Sequence, residues 1–189
     1  DIGAYTHGAG QNALYMDQLL GSGLKALDEL KSAGAIAAYG LGVNEVEVCL
    51  DVLARHPLDC ILLAGRYSLL DRAAERGLLD VCRAQNTSLV IGGVFNSGIL
   101  ATGPVPGAHF DYGPASPDIL ERVRAMQAIA EAENVPLAAA AIQFPFREPV
   151  VANVLIGTAK PSSLTRNLEI LSTKVPESVY TDCDRFVLR

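Results

Sequence analysis

The stretch Gly92-Gly93-Val94-Phe95-Asn96-Ser97-Gly98-Ile99-Leu100 brings small residues, an amide and a hydroxyl into one turn. Glycines let a backbone approach a ligand closely. Successive N–H groups in such a turn can cradle a diphosphate, and Asn96 and Ser97 add side-chain donors. The same composition also describes an ordinary Gly/Asn/Ser turn. A second stretch, Gly157-Thr158-Ala159-Lys160-Pro161, runs into Ser162-Ser163-Leu164-Thr165-Arg166-Asn167 and has proline where a helix would begin. A helix N-terminus attracts anions through its free N–H groups and its dipole. Lys160 adds charge there, and Arg166 and Asn167 follow within two turns. The alternative is a capped surface helix with solvated Lys and Arg. Asn44 could hold a carboxamide through its paired donor and acceptor, or cap the helix that follows it. Arg66-Tyr67 offers an aromatic face beside a cation, or a plain loop pair.

Other chemistries find little support. No Ser/His/Asp set, paired acid/base carboxylates or metal cluster stands out. His7 lies in the loop phrase Tyr5-Thr6-His7-Gly8, and His56 and His109 fall in expected loops without a role. Asp71-Arg72 reads as a surface salt pair near a helix start. Cys49, Cys60, Cys82 and Cys183 form no CxxC pair, and three of them lie in apolar stretches, which fits reduced thiols in a cytoplasmic protein. The net charge of −6, without a basic cluster, argues against a nucleic-acid partner. No apolar run approaches the roughly 20 residues of a membrane span, so no membrane partner is expected. Half the 189 residues are hydrophobic and 19% charged, the balance of a globular domain.

The elements that must position these residues alternate. Residues 5–23 read as a loop with a short helix near 13–20. Leu24, Leu27, Leu30 and Lys31 recur at helical spacing, and Gly34 ends that helix. Residues 36–43 read as a strand, and a helix opens at Asn44 and Glu45 with Val46, Cys49, Leu50 and Leu53 on its apolar face. Strand 60–64, polar loop 65–68, helix 73–83 and strand 88–94 repeat the cycle. A Gly/Pro-rich loop spans 96–117. Helix 118–133 carries Ile119, Leu120, Val123, Met126 and Ile129 on one face, and an alanine-rich helix spans 137–143. Strand 151–156, a helix from Pro161 with Leu164, Leu168 and Leu171, and a short helix after Pro176 complete the chain.

The strands are continuous apolar runs, so a parallel sheet buried on both faces is expected. Gly40-Leu41-Gly42 lacks the spacing of a dinucleotide fingerprint, which tells against a doubly wound sheet. Polar or glycine residues follow every strand, at Asn44, Arg66-Tyr67, Asn96-Ser97 and Thr158 to Lys160, as in a (β/α)₈ barrel whose working residues lie past the strand C-termini. About four strands make half such a barrel, and two open sheet edges are an aggregation liability.

Taken together and in order, these phrases resemble the aldo-keto reductases, most closely the branch of L-fucose, D-threo-aldose and pyridoxal dehydrogenases. The matching phrases are Asp1-Ile2-Gly3 with Tyr5-Thr6-His7-Gly8, Ala38-Tyr39-Gly40-Leu41-Gly42-Val43-Asn44-Glu45, Leu63-Ala64-Gly65-Arg66-Tyr67-Ser68-Leu69-Leu70, Ile91 through Ala101, Ala138 through Phe144, and Ile156 through Asn167. The resemblance covers nearly the whole chain. It implies an α/β (β/α)₈ barrel of which residues 1–189 are the C-terminal half, and an NAD or NADP cofactor lying across the strand ends.

By the same resemblance Asn44 contacts the nicotinamide carboxamide. Phe95, Asn96, Ser97, Gly98, Ile99 and Leu100 wrap the diphosphate, and Gly157, Thr158, Ala159, Lys160, Ser163, Arg166 and Asn167 hold the adenosine end. Tyr5, His7, Arg66 and Tyr67 flank a sugar, alcohol or aldehyde substrate, as does the loop 101–117. The family's Asp, Tyr, Lys and His are expected before Asp1, so no catalytic residue is named and the chain alone should not turn over. Ser163 and Gly157 stand where many NADP-dependent members carry Arg and Lys, which leans towards NAD, although Lys160 and Arg166 could substitute. Two other readings of the same loops are a non-catalytic cofactor-binding module and a phosphosugar lyase or isomerase barrel.

Overall fold

The computed structural model describes residues 2–189, so Asp1 of the first matching phrase lies outside the described residues. The chain starts with α1 (Ala4–His7) and α2 (Ala9–Gln18), a five-residue π-helical turn at Leu19–Gly23, and α3 (Leu24–Ser32). The loop expected over 5–23 is therefore helical. Its Ala, Leu, Met and Gln residues are strong helix formers, and two of its glycines fall in the wide π turn. The stop of α3 is as read from the sequence. Gly34 takes φ 73°, its N–H reaches Lys31 O at 3.0 Å, and Ala35 N–H reaches Leu30 O at 2.9 Å, the paired bonds of a Schellman cap.

Then come β1 (Gly40–Val43), α4 (Val46–Leu53), β2 (Cys60–Ala64), a 3₁₀ turn at Ala73–Glu75, α5 (Leu78–Gln85) and β3 (Ser88–Gly92). The first strand is half as long as expected. β2 begins only at Cys60, after Pro57, so the ladder starts with Gly40 opposite Cys60, and before it the Tyr39 backbone is tied to Asp59, whose N–H bonds Tyr39 O at 3.2 Å. The helix expected over 73–83 is split at Gly77, whose φ is 98°.

The segment after β3 holds α6 (Ile99–Thr102) and a small hairpin of β4 (His109–Phe110) and β5 (Gly113–Pro114), so the expected loop 96–117 is partly ordered. α7 (Pro117–Ala132) starts with Pro117 at its first position and the Ser116 hydroxyl accepting Ile119 N–H. α8 (Leu137–Gln143), β6 (Val151–Leu155), α9 (Pro161–Leu171) and α10 (Glu177–Cys183) close the chain.

The four strands form one parallel sheet in the order β1-β2-β3-β6. The order follows the chain without reversal, as in a segment of a barrel wall, whereas a doubly wound sheet reverses at a switch point. Val43, Ile61, Leu63, Leu89 and Ile91 point to the helix-covered face and are at most 2% exposed. Their alternates Gly42, Leu62, Ala64 and Val90 are half-buried or exposed. The expected burial of both faces is thus met on one face only, because no element among the described residues covers the other. All four cysteines are free thiols. Cys49, Cys82 and Cys183 are buried and Cys60 is half-buried. No helix of the described residues is long and apolar enough to cross a membrane.

Candidate functional site

The strand C-termini converge on two cavities. The first, about 410 Å³, lies past β2 and β3 and is lined by Gly65, Gly93, Asn96, Ser97, Asp111 and Tyr112 among others. The second, about 400 Å³, lies past β6 and is lined by Phe95, Gly157, Thr158, Ala159, Lys160, Ser163, Arg166 and Asn167, with Ala138 and Ile170 at its base. A different cleft, beside the N-terminus of α4 and lined by Asn44, Arg66, Asp71 and Arg189, is smaller at about 280 Å³.

The first cavity is framed by a buried polar network. Gly93 has φ 65°, and a Cβ there would stand 3.0 Å from Gly65 N, so the loops after β2 and β3 touch backbone to backbone. Asn96 is 5% exposed with φ 44°. Its Oδ1 accepts the Ser68 hydroxyl at 2.5 Å, and its Nδ2 donates to Gly65 O at 3.2 Å. Ser68 Oγ in turn accepts Leu70 N–H and Asp71 N–H. Nothing in its sequence neighbourhood marks Ser68 as the partner of Asn96, since the two are 28 residues apart.

Arg66 clamps the rim. Its Nε donates to Asn44 O at 2.8 Å, Nη1 lies 3.2 Å from Asp71 Oδ2, and Nη2 lies 2.8 Å from Asp111 Oδ1. Burial disfavours its charge, but Asp111 and Asp71 outweigh that, and its pKa is raised on balance. Burial acts the same way on Asp71, raising its pKa against the Ala73 N–H and Arg66 that favour the carboxylate. Asp71 and Arg72, expected to pair with each other at the surface, are buried at 6% and 4% exposed and pair apart, Asp71 with Arg66 and Arg72 with Glu75 and Asp184. The reason is the chain terminus. Leu188 N–H bonds Leu70 O and Arg72 N–H bonds Leu188 O, both at 2.8 Å, so the tail covers this loop. The Arg72 guanidinium then stacks 3.8 Å over Phe144.

Tyr67 does not share the rim with Arg66. Its side chain turns into the core, 4% exposed with its ring 5.1 Å from Phe144, and burial pushes its hydroxyl up to about 12. The aromatic face near Arg66 belongs to Tyr5, 5.8 Å from the guanidinium. His7 ends α1 edge-on to Tyr15. The cap position of α4 is Glu45, not the expected Asn44. Asn44 Nδ2 donates to Tyr112 Oη at 3.3 Å. Ile99 and Leu100 are core residues of α6, at most 1% exposed. Asp111 and Tyr112 lie within the loop 101–117 expected to flank the substrate, and the weak local signal that singles them out is the Gly113-Pro114 pair that follows them.

The second cavity is set by α9. Pro161 occupies its first turn, and Lys160 precedes it with no side-chain cap. Ile170 alone of its residues is buried, in a small cluster with Val135, Ala138, Ala139 and Ile142 that also packs Phe95. Gln143 Nε2 holds the far end of the helix through Ile170 O and Thr173 O at 2.9 and 2.8 Å. The residues expected to hold an adenosine end are thereby brought together around one opening. Leu164 and Leu168 of the expected apolar face are more than half exposed and Leu171 is 39% exposed.

The profile of the aldo/keto reductase family matches residues 10–187, and the chain belongs to that family. Among curated proteins it is 42% identical over 182 residues to pyridoxal 4-dehydrogenase of Microbacterium luteolum, covering 96% of this chain and 53% of that protein. It is 33% identical over 168 residues to D-threo-aldose 1-dehydrogenase of a Pseudomonas species, covering 88% and 51%. An aldo-keto reductase of Bacillus halodurans in its apo form superposes with a TM-score of 0.68 at 22% identity, over 87% of this chain and 56% of that one. The fold is therefore part of an aldo-keto reductase barrel, and the branch is the expected one. The chain spans about half the length of the curated relatives it matches. The family is one of oxidoreductases that use NAD or NADP.

Proposed function

We propose that this chain is the cofactor-binding part of an NAD(P)-dependent dehydrogenase that oxidises an aldose at C1, or a related alcohol such as the lactol of pyridoxal. The observation that carries the reading is the gathering of Gly157, Thr158, Ala159, Lys160, Ser163, Arg166 and Asn167 around one opening past β6, beside the cavity of Asn96 and Ser97. Both openings lie at strand C-termini, where this barrel architecture places ligands. When bound, the nicotinamide supplies the hydride acceptor. The N–H groups and dipole at the start of α9 favour a phosphate, with Lys160 and Arg166 adding charge. In this reading Asn96 and Ser97 serve the diphosphate, and Asn44, whose Nδ2 donates to Tyr112 Oη, serves the carboxamide at the other end. Arg66, Tyr5 and the hairpin form the rim against which a polyhydroxylated substrate would lie.

The general acid belongs, in this reading, to the part of the barrel that the relatives possess in addition. Two measurements test it. The complete protein should reduce NAD or NADP with L-fucose, another aldose or pyridoxal, and the 189-residue chain alone should not. Steady NAD(P)H production by the isolated chain, or failure of the complete protein to bind either nucleotide, sinks the reading. A non-catalytic binding module would bind nucleotide and turn over nothing.

A further inference from the structure

The turn joining β4 to β5 is Asp111-Tyr112, and both residues have positive φ, 49° and 64°. Two consecutive left-handed residues make the tight hairpin turn whose ordinary occupants are Asn and Gly. A tyrosine there is disfavoured by its own backbone, and such strain persists only where the surroundings impose it. The surroundings are the candidate site. Tyr112 Oη accepts Asn44 Nδ2 at 3.3 Å and Tyr112 N–H donates to Ser97 Oγ at 3.0 Å. Asp111 Oδ1 receives Arg66 Nη2 at 2.8 Å, and Asp111 O accepts the Tyr5 hydroxyl at 3.3 Å. The Tyr112 ring is 71% exposed, so core burial does not explain the residue. The tip instead occupies two of the polar groups, Asn44 and Ser97, that the nucleotide reading assigns to the ligand.

We propose that the Asp111-Tyr112 turn is a self-blocking latch, which rests on the nucleotide reading above. Tyr112 takes an Asn44 amide hydrogen and a lone pair of the Ser97 hydroxyl, with the Arg66–Asp111 ion pair as the catch, and a nicotinamide nucleotide binds by displacing it. Apparent affinity is then the intrinsic affinity reduced by the fraction of molecules with the tip released. Loosening the latch tightens binding, the reverse of what a residue that clasps the bound nucleotide would show.

The test is fluorescence titration of NADH and NADPH into the complete, nucleotide-free protein as wild type, Tyr112→Phe and Tyr112→Gly. Phe removes only the acceptor hydroxyl, while Gly suits the turn and removes the ring. Loss of one net hydrogen bond predicts a Kd lowered about three- to tenfold in Tyr112→Phe, and at least as much in Tyr112→Gly. Tighter binding by the variants, or binding by them alone, supports the latch. Wild-type binding that both variants leave unchanged or weaken overturns the latch and leaves the nucleotide site standing. No binding by any of the three overturns the nucleotide reading and the latch with it.

Discussion

The two ends of the candidate cleft are built in opposite ways. Past β2 and β3 the polar groups are already bonded to protein: Asn96 to Ser68 and Gly65, Ser97 to Tyr112, and Arg66 to Asn44, Asp71 and Asp111. Past β6, Gly157, Thr158, Ala159 and Lys160 are exposed, and Thr158 bonds only two residues along, to Lys160 O. The groups at the first end already have protein partners, which a ligand there would have to replace. The other end is open, so a phosphate bound there, as the proposed function has it, would displace few protein contacts. Stability should therefore reside in the first end and affinity in the second.

Asn96→Ala gives the largest expected effect. It leaves the buried Ser68 hydroxyl and Gly65 carbonyl short of a partner, at about 1–3 kcal/mol for a buried unsatisfied group. Thermal melting should show a clear loss of Tm; an unchanged Tm would mean the network is not structural. Gly93→Ala comes next, at roughly 1–2 kcal/mol for a left-handed alanine, because its Cβ would also press on Gly65 N at 3.0 Å. Arg166→Ala reverses the pattern. Melting should stay within about 0.5 kcal/mol, as for most surface changes, while the Kd for NAD(P)H rises about tenfold, equivalent to roughly 1.4 kcal/mol. Equal losses of stability at the two ends would break the comparison.

Near neutrality the effect of pH is the smallest, and it belongs to the helix-covered core, whose buried thiols are there protonated folded and unfolded alike. Burial raises the thiols of Cys49 and Cys183 from 9.0 to about 12 and that of Cys82 to about 11. Folded values above unfolded ones mean that the protonated thiols favour the fold. Their contribution is full below the unfolded value of 9.0 and is lost as pH rises through 11 to 12. Tm should hold up to about pH 9 and decline above it. A thiol reagent at neutral pH should modify half-buried Cys60 before the other three. Faster reaction at Cys82 would contradict the burial.

Much of the fold was legible because local signals and the tertiary solution agree. β2 and α8 match their expected ranges, the Gly34 stop and the Pro161 start fall where backbone chemistry places them, α7 starts one residue earlier than expected, at Pro117, and the apolar runs announce the parallel sheet. The misreadings have physical causes. Glycines in residues 5–23 suggested a loop where the intervening helix formers prevailed, and the Asp71-Arg72 pair reads as surface until the chain terminus folds over it.

What the sequence determined by itself is the alternation of elements, the reduced thiols and the phrases that carry the family resemblance, all properties of local order and residue type. Only the tertiary structure decided which side chains meet. Asn96 finds Ser68 across 28 residues, Arg66 finds Asp111 across 45, and Asn44 finds Tyr112 across 68. It also sent Tyr67 into the core while its neighbour Arg66 stayed at the rim. No periodicity records such pairings, because they depend on where separate loops end in space.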